Sequence, residues 1–274
     1  MSKHLSQIII EKLLPGSQKV SDLVLTISLS LNVSLQAVYK ALRVLNKQEV
    51  VTIHNKVVSL SIIWITKEKE KFLFAEYAYK INKDIITRLL KEKSKVVFTF
   101  KTIAEQDLFW THVYTLLAEK TISTRPRYLI TPHDFFLYAR KETDTFWIEK
   151  NIKKDVATRL VITHTTKADV LVTKERKKTL SKSAHFLLHE NPLEQKSDTY
   201  YNILGDYIFK AVFDRKVNNL LEKIIHNINR LPITKVEQSE ISNIIHTKGN
   251  FVFSIEKNKT KADAMEKKLK KYFE

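Results

Sequence analysis

Residues 32–61 constrain the fold of this chain more than any other stretch, because a helical pattern passes directly into a hairpin pattern. They read NVSLQAVYKALRVLNKQEVVTIHNKVVSLS. The first half has apolar residues at helical spacing, with Ser34 placed to cap a helix spanning about 34–48. In the second half, two β-branched runs flank His54-Asn55-Lys56, which is typical of a hairpin.

The residues before this stretch predict two more helices. Apolar residues recur at helical spacing from Lys3 to Leu14, and Pro15-Gly16 marks the end of that helix. Ser21 and Asp22 then offer capping oxygens for a helix from Leu23 to Leu31. Three helices followed by a hairpin predict a winged helix-turn-helix domain over residues 1–66, an α+β unit.

The third helix separates its apolar side chains from its polar ones. On a helical wheel one face carries Leu35, Val38, Leu42 and Leu45. The opposite face carries Gln36, Lys40, Arg43 and Lys47, with Tyr39 on the border. A recognition helix needs this division, because one face packs on its own domain while the other reaches base edges and phosphates in the major groove.

We therefore predict that this domain contacts double-stranded DNA, with the hairpin segment 53–58 as a wing on the adjacent backbone or minor groove. The predicted contacts are Lys19, Ser34, Gln36, Tyr39, Lys40, Arg43, Lys47, His54, Asn55 and Lys56. The charge agrees, since the whole chain carries +17 and residues 1–66 carry seven Lys or Arg against three Asp or Glu. A module of this kind that binds protein instead remains an alternative.

Composition narrows the other classes. The chain has no cysteine, which excludes disulfides and thiolate metal sites and fits a cytoplasmic setting. It has only three glycines, too few for a phosphate-cradling or dinucleotide-binding loop. The sequence shows neither a signal peptide nor a membrane span, so we expect no membrane partner.

Residues 67–93 contain neither proline nor glycine, and we predict a connecting helix there. Phe74, Ala78, Ile81 and Ile85 follow a 4-3-4 spacing. That spacing fits a short dimer seam, and it fits packing against the next domain equally well. DNA-binding modules often act in pairs, so we expect a homodimer.

From residue 94 to 274 strand and helix patterns alternate, which predicts an α/β domain with a mostly parallel sheet. Predicted strands are Lys95–Phe100, Tyr128–Ile130 and Arg159–Thr163, and a turn at Gly205-Asp206 separates two more between Thr199 and Phe213. Predicted helices are Ile103–Lys120, Thr143–Lys154, Val217–Ile228 and Ala262–Phe273.

Histidines of this second domain invite a catalytic or metal interpretation. His164 and Lys167 are three residues apart, which on one strand would place them on opposite faces and not beside one phosphate. Pro132-His133-Asp134 follows a strand, and His185 with His189 has i, i+4 spacing on a predicted helix, yet neither pattern brings an evident third ligand. We therefore predict no catalytic residues, no metal and no cofactor, and hence a binding domain.

The arrangement of the chain resembles the TrmB-like transcription regulators. The resemblance rests on NVSLQAVYKALRVLNKQEVV in the first domain and YNILGDYIFKAVF before an amphipathic helix in the second. It implies a dimeric, sequence-specific transcription regulator whose second domain is like a phospholipase D fold without catalytic residues. Some members of that family bind sugars, which implies a small-molecule effector whose identity the sequence leaves open.

One rival interpretation makes the second domain a phosphodiesterase or nuclease that the first domain directs to nucleic acid. It requires His133, Asp134, His164 and Lys167 to converge in one cleft.

Overall fold

The computed structural model describes residues 3–79, 90, 94–120, 125–140, 157–179, 184–188 and 191–273. The chain divides into two compact units, Met1–Tyr79 and Lys80–Glu274. Each unit is described by itself.

The first unit contains helices and one small antiparallel sheet. In chain order its elements are α1 (Lys3–Leu13), β1 (Gln18–Lys19), α2 (Val20–Leu31), α3 (Leu35–Lys47), β2 (Val51–His54), β3 (Val57–Leu60) and α4 (Ile62–Ala78). The sheet order is β1-β3-β2, so the two hairpin strands pair and β1 adds to the outer edge of β3.

Aliphatic side chains from the first three helices form the core of this unit. Ile9, Leu23, Ile27, Val38 and Leu42 are all at most 1% exposed. Burying a side chain of this size stabilises the fold by about 1.5–3 kcal/mol relative to leaving it in water. The apolar residues that recur at helical spacing in these helices are therefore the ones that pack together in the core.

Three predicted boundaries in this unit are wrong. The second hairpin strand, which the β-branched run predicts to reach Trp64, ends at Leu60. The Ser61 hydroxyl accepts a hydrogen bond from the Trp64 amide and starts α4 five residues before the predicted connecting helix. The second helix begins at Val20, ahead of the predicted caps Ser21 and Asp22, and its N-cap Lys19 makes no side-chain cap hydrogen bond. Strand β1 was not predicted, because two residues carry no periodic signal.

The second unit is built around one larger sheet. Its strands are β4 (Lys95–Phe100), β5 (Arg127–Thr131), β6 (Thr158–Ile162), β7 (Ala184–Leu188), β8 (Thr199–Leu204), β9 (Tyr207–Val212) and β10 (Phe251–Lys257). Its helices are α5 (Ile103–Lys120), α6 (Phe136–Ala139), α7 (Lys167–Thr179), α8 (Arg215–Asn227), α9 (Lys235–Ile245) and α10 (Lys259–Lys270).

The prediction of a mostly parallel sheet is wrong, because the sheet is mixed. Its strand order is β4-β10-β9-β8-β5-β6-β7. Among these described strands only the pairs β5–β6 and β6–β7 are parallel, and the other four neighbouring pairs are antiparallel. The tight turn at Gly205-Asp206 forces β8 and β9 to run antiparallel, and β10 then inserts between β4 and β9.

Apolar side chains cover both faces of this sheet. One cluster packs α5, α8 and α9 on it through residues such as Tyr114, Phe209, Leu221 and Ile241, and a second packs α10 through Ala262 and Leu269. The carboxyl ends of the parallel strands β5 and β6 lead into Pro132-His133-Asp134 and Thr163-His164, which places those histidines at one edge of the sheet.

The helices of the second unit agree only in part with the predicted ones. The predicted helix 143–154 lies outside the described residues. Helices α7 and α9 were not predicted, since their many charged or β-branched residues weaken the periodic signal. No helix in the described part of the chain combines the length and apolar character that crossing a membrane requires.

Candidate nucleic-acid interface

Helix α3 presents the surface that the sequence predicts. The Ser34 hydroxyl accepts a hydrogen bond from the Ala37 amide at 3.2 Å and so caps the helix. Val38, Ala41, Leu42 and Leu45 are buried on its inner face. Gln36, Lys40, Arg43 and Lys47 are exposed, and Tyr39 on the border is 41% exposed.

One residue of the predicted inner face departs from the pattern. Leu35 is 47% exposed, although the helical wheel places it beside Val38. It is the first residue of α3, and Val33 just before the helix packs against the core at that end. A helical wheel assumes that the apolar face is buried along the whole helix. At the first turn of α3 the loop residue Val33 packs against the core, and Leu35 stays exposed.

The hairpin ends in a two-residue turn. Asn55 and Lys56 both have left-handed backbone conformations, with φ of 50° and 63°, as a type I′ turn requires. Asparagine tolerates this conformation, but a lysine in it costs about 1–2 kcal/mol relative to glycine. The side chains of His54, Asn55 and Lys56 are all exposed.

Strand β1 brings Lys19 next to this turn. Lys19 is the register partner of Val57, and the Val20 amide donates a hydrogen bond to the Lys56 carbonyl at 2.8 Å. Lys19 is exposed, like each of the other nine predicted contact residues. The hairpin tip and the short strand therefore present Lys19 and Lys56 close together on one edge of the unit.

Five cations among the predicted contact residues are free of carboxylate partners within the described part of the chain. They are Lys19, Lys40, Arg43, Lys47 and Lys56. An exposed cation without an acidic neighbour is free to neutralise an external anion, such as a phosphate of a nucleic-acid backbone.

Comparisons with known proteins give little beyond this geometry. No family model matches the sequence, and no curated protein matches it. A solved structure described as TrmBL2, an archaeal chromatin protein that shows a novel mode of DNA binding, aligns over 99% of this chain and 93% of that one. The identity is 14% and the TM-score 0.36, so fold and function have to be argued from the residues of this chain.

The second unit brings together only part of the cluster that the rival catalytic interpretation requires. The rings of His133 and His164 lie 4.8 Å apart between centroids. Asp134 instead forms a buried ion pair with Arg176, with Arg176 Nη2 2.8 Å from Asp134 Oδ1. Lys167 is exposed at the start of α7, while β6 ends at Ile162, so the expectation that His164 and Lys167 share one strand is wrong.

His133 is instead held between two carboxylates. Its Nδ1 lies 2.9 Å from Asp169 Oδ2, and its Nε2 lies 2.8 Å from Glu222 Oε2. Burial disfavours the charged imidazolium, but the hydrogen bonds and charges of Asp169 and Glu222 outweigh that effect and raise the pKa of His133 to about 9. Burial and the nearby His133 lower the pKa of His164.

Three residues of this cluster are placed to hold a metal ion. The ligand atoms of His133, His164 and Glu222 lie within 4.8 Å of one another. Sequence reasoning missed Asp169 and Glu222 because they are far from His133 in the chain. One signal was available for Glu222, which stands one helical turn before His226 on the polar side of α8.

Within the described part of the chain, His112 and His185 do not belong to this group. His112 is exposed on α5. His185 lies in strand β7, paired in register with Arg159, and not on a helix, and His189 lies outside the described residues.

Proposed function

We propose that the first unit is a winged helix-turn-helix that binds double-stranded DNA sequence-specifically, and that the chain is a transcription regulator. The observation that carries this proposal is that all ten predicted contact residues are exposed, and that five of them are cations without a carboxylate partner in the described part of the chain. The element order and the three-stranded antiparallel sheet support it, since a winged helix places two antiparallel strands directly after its recognition helix.

In this proposal α3 enters the major groove. Gln36 suits adenine and Arg43 suits guanine, because each side chain can make paired hydrogen bonds to the edge of that base, and Lys40 adds a further donor. Lys47, at the other end of the helix, reaches phosphate. The N-terminal turn of α3, capped by Ser34, adds free backbone amides that favour an anion.

The hairpin tip acts as the wing on the adjacent backbone or minor groove. Lys56 and its neighbour Lys19 neutralise phosphates, and His54 and Asn55 supply hydrogen-bonding groups. Glycine would adopt the left-handed conformation of residue 56 with less strain than lysine does. The presence of Lys56 there is consistent with a need for its positive charge.

Dimerisation through α4 completes the regulator. Phe72, Phe74 and Tyr77 on this helix are 70, 71 and 62% exposed, and no α4 residue in the described range Ile62–Ala78 is buried. Aromatic groups so exposed indicate a surface that another protein covers, and a second copy fits the paired action of DNA-binding modules. Of the predicted seam, Phe74 is exposed, Ala78 is half-buried, and Ile81 and Ile85 lie outside the described residues.

The dimer has its own test. Sedimentation of the wild type should give a mass of two chains, and Phe72→Glu with Phe74→Glu should give one. Lys69→Glu, which changes an exposed neighbour on the same helix, should leave the dimer intact. A wild type that sediments as one chain at all concentrations would remove dimerisation from the proposal.

An effector has a candidate place in the second unit. A cavity of about 330 Å³ lies between the sheet and α10, and its lining includes Lys95, Lys210 and Lys268 together with Tyr201 and Met265. This lining favours a small anion with an apolar part. A thermal-shift screen of small carboxylates and phosphates should find a stabilising ligand whose effect Lys210→Ala abolishes.

The second unit is not an enzyme in this proposal, because Asp134 is engaged in a buried ion pair with Arg176 and Lys167 is exposed at the start of α7. A phosphodiesterase or nuclease is the second candidate, favoured by the meeting of His133 and His164 beside Glu222. Cleavage of labelled DNA or RNA by purified protein in Mg²⁺ or Mn²⁺ would establish it, and intact substrate would count against it.

The decisive experiment for DNA binding is selection from a random double-stranded pool, followed by sequencing and a salt titration of the winner. Enrichment of a two-fold symmetric motif with salt-sensitive affinity supports the proposal. The Lys40→Ala, Arg43→Ala double variant should lose the motif, while Lys235→Ala, an exposed charge of the second unit, should keep it. Equal affinity of wild type and double variant for every sequence would overturn the placement of α3.

A further inference from the structure

The histidine cluster of the second unit has the composition of a metal site. We propose that His133 Nε2, His164 and Glu222 bind one divalent transition-metal ion of the zinc class. Their ligand atoms lie within 4.8 Å of one another, and the three residues come from three different elements, the ends of β5 and β6 and the helix α8. This inference concerns the second unit alone and does not depend on DNA binding by the first.

The residue types select the kind of ion. Two imidazoles and one carboxylate suit zinc and its neighbours, whereas Mg²⁺ and Ca²⁺ prefer sites made of oxygen ligands. Three protein ligands leave a fourth position of a tetrahedral ion open. His226 stands one turn beyond Glu222, and its Nδ1 donates a hydrogen bond to the Glu222 carbonyl at 2.8 Å, which leaves its Nε2 lone pair available.

The surroundings of His133 are those of a metal-bound histidine. Asp169 holds its Nδ1 at 2.9 Å, which orients the ring with Nε2 toward Glu222 and His164. Asp169 is in turn fixed by the Thr166 amide at 2.9 Å and the Thr166 hydroxyl at 2.8 Å. A carboxylate behind the ligating ring is the usual partner of a metal-bound histidine, because it fixes the tautomer and raises ligand basicity.

The negative charge around His133 and the exposure of Glu222 to solvent also favour binding of a cation at this cluster. His133 and Asp169 have side chains 1% and 3% exposed, so two carboxylates flank a largely buried imidazole. A divalent ion brings Asp169 and Glu222 to neutrality, and it expels to solvent the proton that His133 Nε2 donates to Glu222. Glu222 is partly exposed and His226 is exposed, so an ion has a path from solvent.

The test uses the full chain without an affinity tag, stripped with EDTA and dialysed. Titration with Co²⁺ should give the visible absorption bands of a tetrahedral ion that saturate at one equivalent, and Zn²⁺ should displace them. His164→Gln and Glu222→Gln should each weaken Zn²⁺ binding at least about tenfold, and Asp169→Asn about 10- to 100-fold. His246→Gln, an exposed histidine elsewhere in the unit, should bind like the wild type.

Two results would overturn the proposal. One is a wild type that takes up Co²⁺ and Zn²⁺ no better than the double variant His164→Gln, Glu222→Gln. The other is binding that His246→Gln weakens as much as His164→Gln does, since that pattern indicates scattered surface histidines. Because His164 and Glu222 are partly exposed, circular dichroism of the metal-free variants should match the wild type and separate lost binding from lost folding.

Discussion

Replacing Lys47 by alanine should reduce the salt dependence of DNA binding by a calculable amount. In the proposed complex the phosphate contacts of one chain are Lys19, Lys47 and Lys56, each exposed and free of carboxylate partners in the described part of the chain. Each neutralised phosphate contributes about −0.9 to the slope of log K against log salt, so one chain gives about −2.7 and a pair about −5.4.

Each lysine that is lost from a phosphate contact removes about 0.9 from the slope, once for each chain of the pair. Lys47→Ala should bring the slope of a two-chain complex from about −5.4 to about −3.6. Arg43→Ala should act differently, because a base contact costs about 1–3 kcal/mol on the selected sequence and relaxes specificity at one position. Lys235→Ala removes the same charge from the second unit and should leave the slope unchanged.

Fluorescence anisotropy with a labelled site, read at five or more salt concentrations, measures these slopes. The selected sequence and a scrambled one should be titrated side by side for each variant. If Lys47→Ala and Lys235→Ala shift the slope equally, the effect is one of overall charge and the assignment of Lys47 to phosphate is refuted. If Arg43→Ala weakens both sequences equally, that residue does not read bases.

Three further predictions concern stability. Lys56→Gly should stabilise the first unit by about 1 kcal/mol in thermal unfolding, because glycine adopts the left-handed backbone conformation without strain. The same change should weaken DNA binding, because it removes a charge from the wing. Stronger DNA binding by this variant would show that Lys56 does not contact DNA. Arg176→Met should destabilise the second unit by about 3–5 kcal/mol in urea, because Asp134 is left charged and buried, and adding Asp134→Leu should restore most of the loss. Backbone amides of Asn250, Val217 and Lys216 lower the pKa of Asp214, so stability present above pH about 4 should be lost as pH falls through the lowered value, and Asp214→Ala should flatten that dependence.

Local pattern predicted the first unit well. The exposed and buried faces of α3 follow from residue spacing alone, because a helix repeats every 3.6 residues whatever surrounds it. The Ser34 cap and the hairpin tip are equally local. The errors there fall at the ends of elements, at Leu35 and Ser61, where neighbouring segments decide what is covered and where a helix begins.

The second unit resisted prediction because its structure depends on distant pairings. Strand β10 separates β4 from β9, and nothing in the spacing of KVVFTF shows that its neighbour lies near the end of the chain. The surroundings of His133 depend likewise on Asp169 and Glu222, 36 and 89 residues further along. Such contacts follow from the strand order, and the alternation of elements leaves that order undetermined.

The position of β10 also bears on how the chain is made. In the described sheet β4 has β10 as its neighbour, with Phe100 paired to Phe251, so β4 leaves the ribosome long before its partner exists. The first unit is confined to Met1–Tyr79 and can fold while synthesis continues. During that interval KVVFTF is an unpaired apolar strand, the part of a nascent chain that most invites chaperone binding or aggregation.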